Sequence, residues 1–336
     1  MRRSWSLALL AALVLPAGAA AQVTPVAPVV PPHVAVGISD QSAELFADSR
    51  FRATGIRHAR LIVPYDVVRR GGRQLWYADT WLAAAHVHGV QPLVTFSHSS
   101  KRRRQFRLPK VAAYSARVRE FRERYPWVRE YATWNEANLR TVQPTARYPR
   151  RTALFYRALR RQCAAAGCRV LAVEVLLTGS WKTWRWVKRF RRAAGRGPHT
   201  WGVHNYPDVT RLGGRNTGIF MRRVPRDEVW FTETGGVVKF RKRWPRDERR
   251  AARAVRHTFR LAARSPRVKR IYLYNWRADA RNRRWDSGII AADGTERRAY
   301  HELLDALTLE RFRPPPPPVV PDTPPSGPVP AEDGDD

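Results

Sequence analysis

Cysteine is almost missing from this 336-residue chain: Cys163 and Cys168 are the only two, and neither has the neighbours of a zinc site. No glycine-rich phosphate turn follows the first apolar run, which argues against a dinucleotide-binding fold. Past the N-terminus no apolar stretch is long enough to cross a bilayer. Acidic residues are scarce as well, 28 Asp and Glu against 62 Lys and Arg, leaving a net charge of +34 carried overwhelmingly by Arg. Such a charge suits nucleic acid, but no nucleic-acid-binding motif accompanies it. Two readings stay open: solvated helix faces coded by a genome rich in guanine and cytosine, or a surface for an anionic partner.

What is present begins with a leader. Arg2 and Arg3, the apolar stretch Leu7–Leu15 and the small residues Ala19-Ala20-Ala21 read as a secretory signal over residues 1–21. An uncleaved anchor is the alternative, though the run is short for a spanning helix. The mature protein is therefore expected outside the cell and off the membrane, where nucleic acid is not an expected partner. In an oxidising compartment Cys163 and Cys168 should form a local disulfide. Residues 22–32 read as a Pro-rich lead-in. Residues 313–336, closing in Glu332-Asp333-Gly334-Asp335-Asp336, read as a disordered Pro-rich acidic tail. Between them residues 33–312 form one expected domain.

Eight apolar runs cross that domain: His33–Ile38, His58–Val63, Gln91–Phe96, the run leading to Glu136, Val170–Leu177, Thr200–Val203, the run leading to Glu233, and Arg270–Tyr274. Helical spacing fills the gaps. Tyr114, Val118, Phe121 and Tyr125 share one face, as do Ala252, Val255, Phe259 and Ala262. A further helix runs from about Gln74 to His88, with Gly89 as its stop. Strand and helix alternating eight times predict a single-domain (β/α)8 TIM barrel rather than an open doubly wound sheet.

In such a barrel the strand ends converge on one rim, where the fold keeps its chemistry. Asp40, Arg60, His98, Asn135, Glu136, His204, Tyr206, Glu233 and Trp276 are placed there. Any one of them reads equally as a structural residue; their joint occurrence is harder to explain that way. Asn135-Glu136, Glu233 in Thr-Glu-Thr-Gly, His204-x-Tyr206 and Trp276 together resemble the clan A glycoside hydrolases, families five and thirty-nine among them. The resemblance spans about His33 to Leu307 and fixes neither a family nor a substrate.

The resemblance implies that Glu136 is the general acid/base and Glu233 the nucleophile of a retaining glycosidase. Asn135 would bind the substrate hydroxyl beside the reacting carbon, and Tyr206 would donate to Glu233. Arg60 would keep that carboxylate ionised, His204 and His98 would shape the sugar subsite with Asp40 nearby, and Trp276 would be its stacking floor. Physical reasoning divides the roles in the same way. The nucleophile needs a cation and a donor beside it, and the acid needs drier surroundings, for which Trp134 is at hand. Glu174, inside the fifth strand, reads either as a buried network member or as an edge residue. No metal or organic cofactor is expected, and a monomer acting on a carbohydrate is.

The rivals are a barrel that binds glycan at the cell surface without chemistry, a transglycosylase with the same residues, and a cationic binder of anionic wall polymer. Lys101-Arg102-Arg103-Arg104, Arg241-Lys242-Arg243 and Arg277, Arg281, Arg283 and Arg284 follow the third, seventh and eighth strands. All three clusters fall on the expected catalytic rim, so an acidic polysaccharide is one expected substrate.

Overall fold

The computed structural model describes Pro31 and residues 33–308, so the expected signal segment, all but one residue of the lead-in and the acidic tail lie outside the described residues. Eight parallel strands, Ala35–Ser39, His58–Pro64, Gln91–Ser97, Glu130–Ala132, Arg169–Leu176, Thr200–His204, Glu228–Thr234 and Val268–Tyr274, pair in chain order. The last closes on the first, with Ala35 to Ser39 in register with Arg270 to Tyr274. The expected eightfold alternation is thus a closed barrel. Only the fourth strand differs clearly from its expected extent: pairing stops at Ala132, and Thr133 to Glu136 run on irregularly beyond it.

Apolar side chains on the outward faces of the strands and the inward faces of the helices make one continuous shell. The helix Val111–Arg124 contributes Tyr114, Val118 and Phe121, and the helix Glu248–Ala263 contributes Ala252, Val255, Phe259 and Ala262, all buried. Each such fully buried large side chain stabilises the fold by about 1.5–3 kcal/mol. Asp247 caps the latter helix, accepting from the Arg250 amide at 2.8 Å. The helix Pro149–Ala166 ends at Gly167 in the left-handed conformation, where glycine meets no side-chain penalty. That turn returns the chain so that Cys168 bonds Cys163 across a Cα separation of 4.7 Å. No helix among the described residues is long and apolar enough to cross a membrane.

Inside the barrel the apolar core is small, comprising Leu93, Ala132, Leu171, Trp230 and Tyr272. Gly37 is glycine because a Cβ there would stand 2.7 Å from the Tyr272 ring. Charged groups fill the rest of the interior, one set below this plug and one above. On the rim, Lys239–Phe240 pairs antiparallel with Trp285–Asp286, tying together the loops after the seventh and eighth strands. Buried Arg297 anchors this ribbon through two bonds to Asp286.

Candidate active site

Strand alternation decides which side chains enter the barrel. On the second strand Ala59, Leu61 and Val63 join the outer shell, so Arg60 points inward and is fully buried. Its guanidinium is satisfied on every side. Nε donates to Glu174 Oε1 at 2.8 Å and to Thr95 Oγ1 at 3.1 Å; Nη1 donates to Glu233 Oε1 at 2.8 Å and Ser39 Oγ at 2.9 Å. Nη2 donates to Asn135 Oδ1 at 2.9 Å and to Glu174 Oε2. Burial alone would lower the pKa of Arg60, but Glu174 and Glu233 outweigh it and hold the group charged.

Two register shifts aim the acidic partners. Leu171 and Glu174, three residues apart, pair with Thr200 and Gly202, two apart; Trp230 and Glu233 likewise oppose Gly202 and His204. One extra residue in the fifth strand and one in the seventh turn Glu174 and Glu233 to the inside, the re-aiming that bulges provide beside functional sites. Gly202 makes room: a Cβ there would lie 2.5 Å from Glu174 Cγ. Glu136 reaches the site differently. It takes φ +42°, a conformation that side chains other than glycine adopt at a strain cost and that clusters at functional sites. The turn is held from both sides by Asn135 N donating to Phe96 O at 2.8 Å and Ala137 N donating to Glu174 O at 2.9 Å. Asn138 then clamps strand five, donating to Leu176 O and accepting from Leu176 N, each at 2.9 Å.

His204, fully buried, lies among three carboxylates. Its Nδ1 is 3.1 Å from Glu136 Oε1 and 3.6 Å from Glu233 Oε2, and its Nε2 is 3.6 Å from Glu174 Oε2. Burial pulls its pKa down, but Glu233, Glu136 and Glu174 more than compensate and raise it to about 9. Burial likewise opposes charge on Glu174, yet Arg60 and His204 take it down to about 2. The Tyr206 hydroxyl donates to Glu233 Oε2 at 3.3 Å, and its ring meets Trp285 of the rim ribbon edge-on at 5.1 Å. An oxygen of Glu136, one of Glu233 and a nitrogen of His204 all lie within 4.8 Å of one another. These three could share a cation by distance, but Arg60 against Glu233 and a protonated imidazole make a poor cation site.

Several expected positions change on inspection. Trp276 is not a stacking floor: it is 2 % exposed, its Nε1 donates to Asp48, and its ring packs against Phe51 and Tyr300 behind the wall. The strand ends two residues earlier, and Tyr274, in phase with inward Tyr272, is the aromatic that faces the site. Burial first, then the nearby charges of Glu233 and Asp40, raise its pKa. Asp40 braces a loop, accepting from the amides of Ser42 at 2.8 Å and Trp276 at 2.9 Å, and burial raises its pKa to about 6. His98 is half-buried with Nδ1 donating to the Ser99 carbonyl at 3.1 Å, and no contact among the described residues ties it to either glutamate. Nor is Glu136 the drier of the pair: its side chain is 18 % exposed against 10 % for Glu233. Trp134 does not shield it, because that indole points out of the barrel to bond Gln143 at 2.9 Å.

No family model and no curated protein matches the chain by sequence. Solved structures do match its fold. A family 39 glycoside hydrolase from the gut symbiont Bacteroides cellulosilyticus is similar with a TM-score of 0.59 at 13% identity, over 85% of this chain and 66% of that one. A GH5_18 protein from Streptomyces cattleya, solved in complex with GlcNAc, gives a TM-score of 0.60 at 14% identity over 84% and 82%. Xylanase 10B from Thermotoga maritima gives 0.59 at 10% over 83% and 96%. These neighbours are clan A glycoside hydrolases. At such identities the likeness is one of fold, and the chemistry rests on the site.

Proposed function

We propose that the protein is a secreted glycosidase that cleaves O-glycosidic bonds with retention of configuration. The observation that carries this reading is the pairing of Glu136 and Glu233 through oxygens within 4.8 Å, with Arg60 and Tyr206 bonded to Glu233 and not to Glu136. Oxygens that close permit the ~5–5.5 Å between carboxyl groups that retaining enzymes need. Glu233, with a cation and a phenol at its oxygens, attacks the anomeric carbon while Glu136 gives its proton to the departing glycosidic oxygen. Glu136, then a carboxylate, takes a proton from water, which attacks the same carbon and releases Glu233. The greater exposure of Glu136 suits a group that must meet both leaving group and water. Asn135 turns its Oδ1 to Arg60, which leaves its amide NH2 to donate to a sugar hydroxyl.

A mechanism-based fluorosugar label followed by peptide mapping tests the assignment: the label is expected on Glu233, and a label elsewhere overturns it. Transfer to a sugar acceptor instead of water would use the same residues and is read from the products. The charge supports an acidic glycan as substrate. Lys101, Arg103 and Arg104, Arg241 to Arg243, and Arg277, Arg281, Arg283 and Arg284 are all exposed on loops that follow barrel strands. A kcat/KM on an acidic polymer that stays flat as salt rises would remove this part of the reading.

A further inference from the structure

Of the charged groups in the upper barrel, Glu174 alone has no part in the two-carboxylate chemistry, yet it is as fully enclosed as Arg60 and His204. We propose that Glu174 is a positioning residue that acts through Arg60 and His204: its carboxylate neutralises the guanidinium, fixes it against Glu233, and attracts the charged imidazole that faces Glu136. The inference rests on the glycosidase reading of those two glutamates.

Three features carry it. Glu174 grips Arg60 with both oxygens, at Nε and Nη2, and Thr95 Oγ1 donates to it at 3.0 Å, so the guanidinium plane is set before Nη1 reaches Glu233. A bidentate arginine–carboxylate pair fixes direction as well as charge. Second, the fold makes space for this side chain at a price in local regularity: an extra residue in strand five turns it inward, and strand six carries glycine where a Cβ would strike it. A merely space-filling role needs neither a charge nor a bulge. Third, the imidazole of His204 spans the site, with Nε2 3.6 Å from Glu174, a charge contact longer than a hydrogen bond, and Nδ1 towards Glu136 and Glu233.

The chemical consequence follows from charge. An arginine facing Glu233 alone would over-stabilise its carboxylate and blunt its attack on carbon. With Glu174 beside it the same guanidinium still orients Glu233 through one hydrogen bond but brings little net charge. The groups facing this cluster from the surrounding elements are Arg60 from strand two, Glu136 after strand four, Tyr206 after strand six, Glu233 from strand seven and Tyr274 from strand eight. Taking one negative charge out of that set favours the deprotonated form of every acid that remains.

Glu174→Gln is therefore expected to move both limbs of the kcat/KM–pH bell to lower pH and to lower kcat on the order of 10–100-fold, the usual effect of losing an outer partner of a reacting group. Glu174→Asp keeps the charge and is expected to restore the position of the bell, with kcat between the two. A bell for Glu174→Gln that superimposes on the wild type overturns the proposal, whatever happens to kcat or Tm, because a structural role would lower stability without moving the profile. Nitrogen-15 NMR of the His204 ring in wild-type protein supplies a readout that needs neither a folded variant nor turnover. Both ring nitrogens are expected protonated at neutral pH, and a neutral ring overturns the proposal while leaving the glycosidase reading intact. A protonated ring in a protein that turns over no glycoside sinks the glycosidase reading instead.

Discussion

At the base of the barrel Arg270 bonds Glu130 and the Tyr272 hydroxyl and lies over the Trp230 ring, its guanidinium carbon 4.0 Å from the centroid. Arg169 pairs with Glu228 at 3.1 Å, and Glu228 accepts from the Trp230 indole. Two cations there meet two carboxylates, with aromatic faces closing what the charges leave. At the top of the same barrel Arg60 and His204 meet Glu136, Glu174 and Glu233, and one end of the set is open to solvent. The lower cluster is balanced charge for charge, with Arg270 and Glu130 buried and Arg169 and Glu228 reaching solvent, so it holds strands together. The upper one has a carboxylate to spare and an exposed edge, so it can exchange a proton. Neither burial nor access distinguishes the strut from the site here; the surplus carboxylate does.

The comparison breaks most sharply at the glutamates. Glu233→Ala should abolish turnover, and Glu136→Ala should cost about 10²–10⁴-fold on substrates with poor leaving groups. The second loss should shrink on activated aryl glycosides, where added azide restores rate by attacking the glycosyl-enzyme. Thermal denaturation should show both variants close to wild type, since Arg60 keeps Glu174 as its counter-ion and His204 keeps two of its three carboxylates. Glu130→Ala should do the reverse. It strands Arg270 without its partner, which for a buried pair costs about 3–5 kcal/mol, while kcat per folded molecule stays put. A Glu130 variant with a normal Tm and a depressed kcat would mean that the two clusters are coupled through the thin apolar plug.

Two histidines sharpen the contrast through pH. His58, on the second strand below Arg60, has its pKa lowered to about 3 by burial and by Arg270, while His204 is raised to about 9 by the surrounding carboxylates against the pull of burial. A histidine held neutral opposes folding once the unfolded chain protonates, so His58 should erode stability as pH falls below about 6.5. One held protonated contributes fully below that pH, and its contribution should fade as pH rises through 9. Urea midpoints across pH should therefore fall on both sides, with His58→Leu flattening only the acid side. A flattened alkaline side in that variant would reject the assignment of the two limbs.

The barrel was legible in the sequence because it needs only periodicity: apolar runs of strand length, helical faces such as Tyr114, Val118 and Phe121, and stops such as Gly89 and Gly167. Glu136 and Glu233 were legible as strand-end carboxylates beside Asn135 and Thr234. Glu174 was legible only as one of two readings, a buried network member or an edge residue, because simple alternation from inward Leu171 puts it outside and only the register shift brings it in. Trp276 was exchanged for Tyr274 for a different reason. The resemblance put the stacking ring at Trp276, whereas phase from Tyr272 puts Tyr274 at the site. Asp40 and His98 looked like site residues by position alone, and their hydrogen bonds run to loop backbone instead.

The smallest effect expected lies furthest from both clusters. Cys163 and Cys168 close only the turn that ends the helix Pro149–Ala166, and Cys168 N already donates to Cys163 O at 3.1 Å across it. In the chain-entropy account so short a loop yields about 2 kcal/mol, the low end for disulfides. Cys163→Ala with Cys168→Ala should accordingly lower Tm by roughly 4–8 °C and leave kcat, KM and the pH profile unchanged, since neither half of the bridge touches a strand end on the rim. Part of the effect is already secured by Gly167, whose left-handed conformation turns the chain whether or not the sulfurs are joined. Gly167→Ala in the bridged protein separates the two contributions. If that single change lowers Tm by as much as removing both cysteines, the backbone turn rather than the covalent link stabilises this end of the helix, and the disulfide serves only to limit fraying.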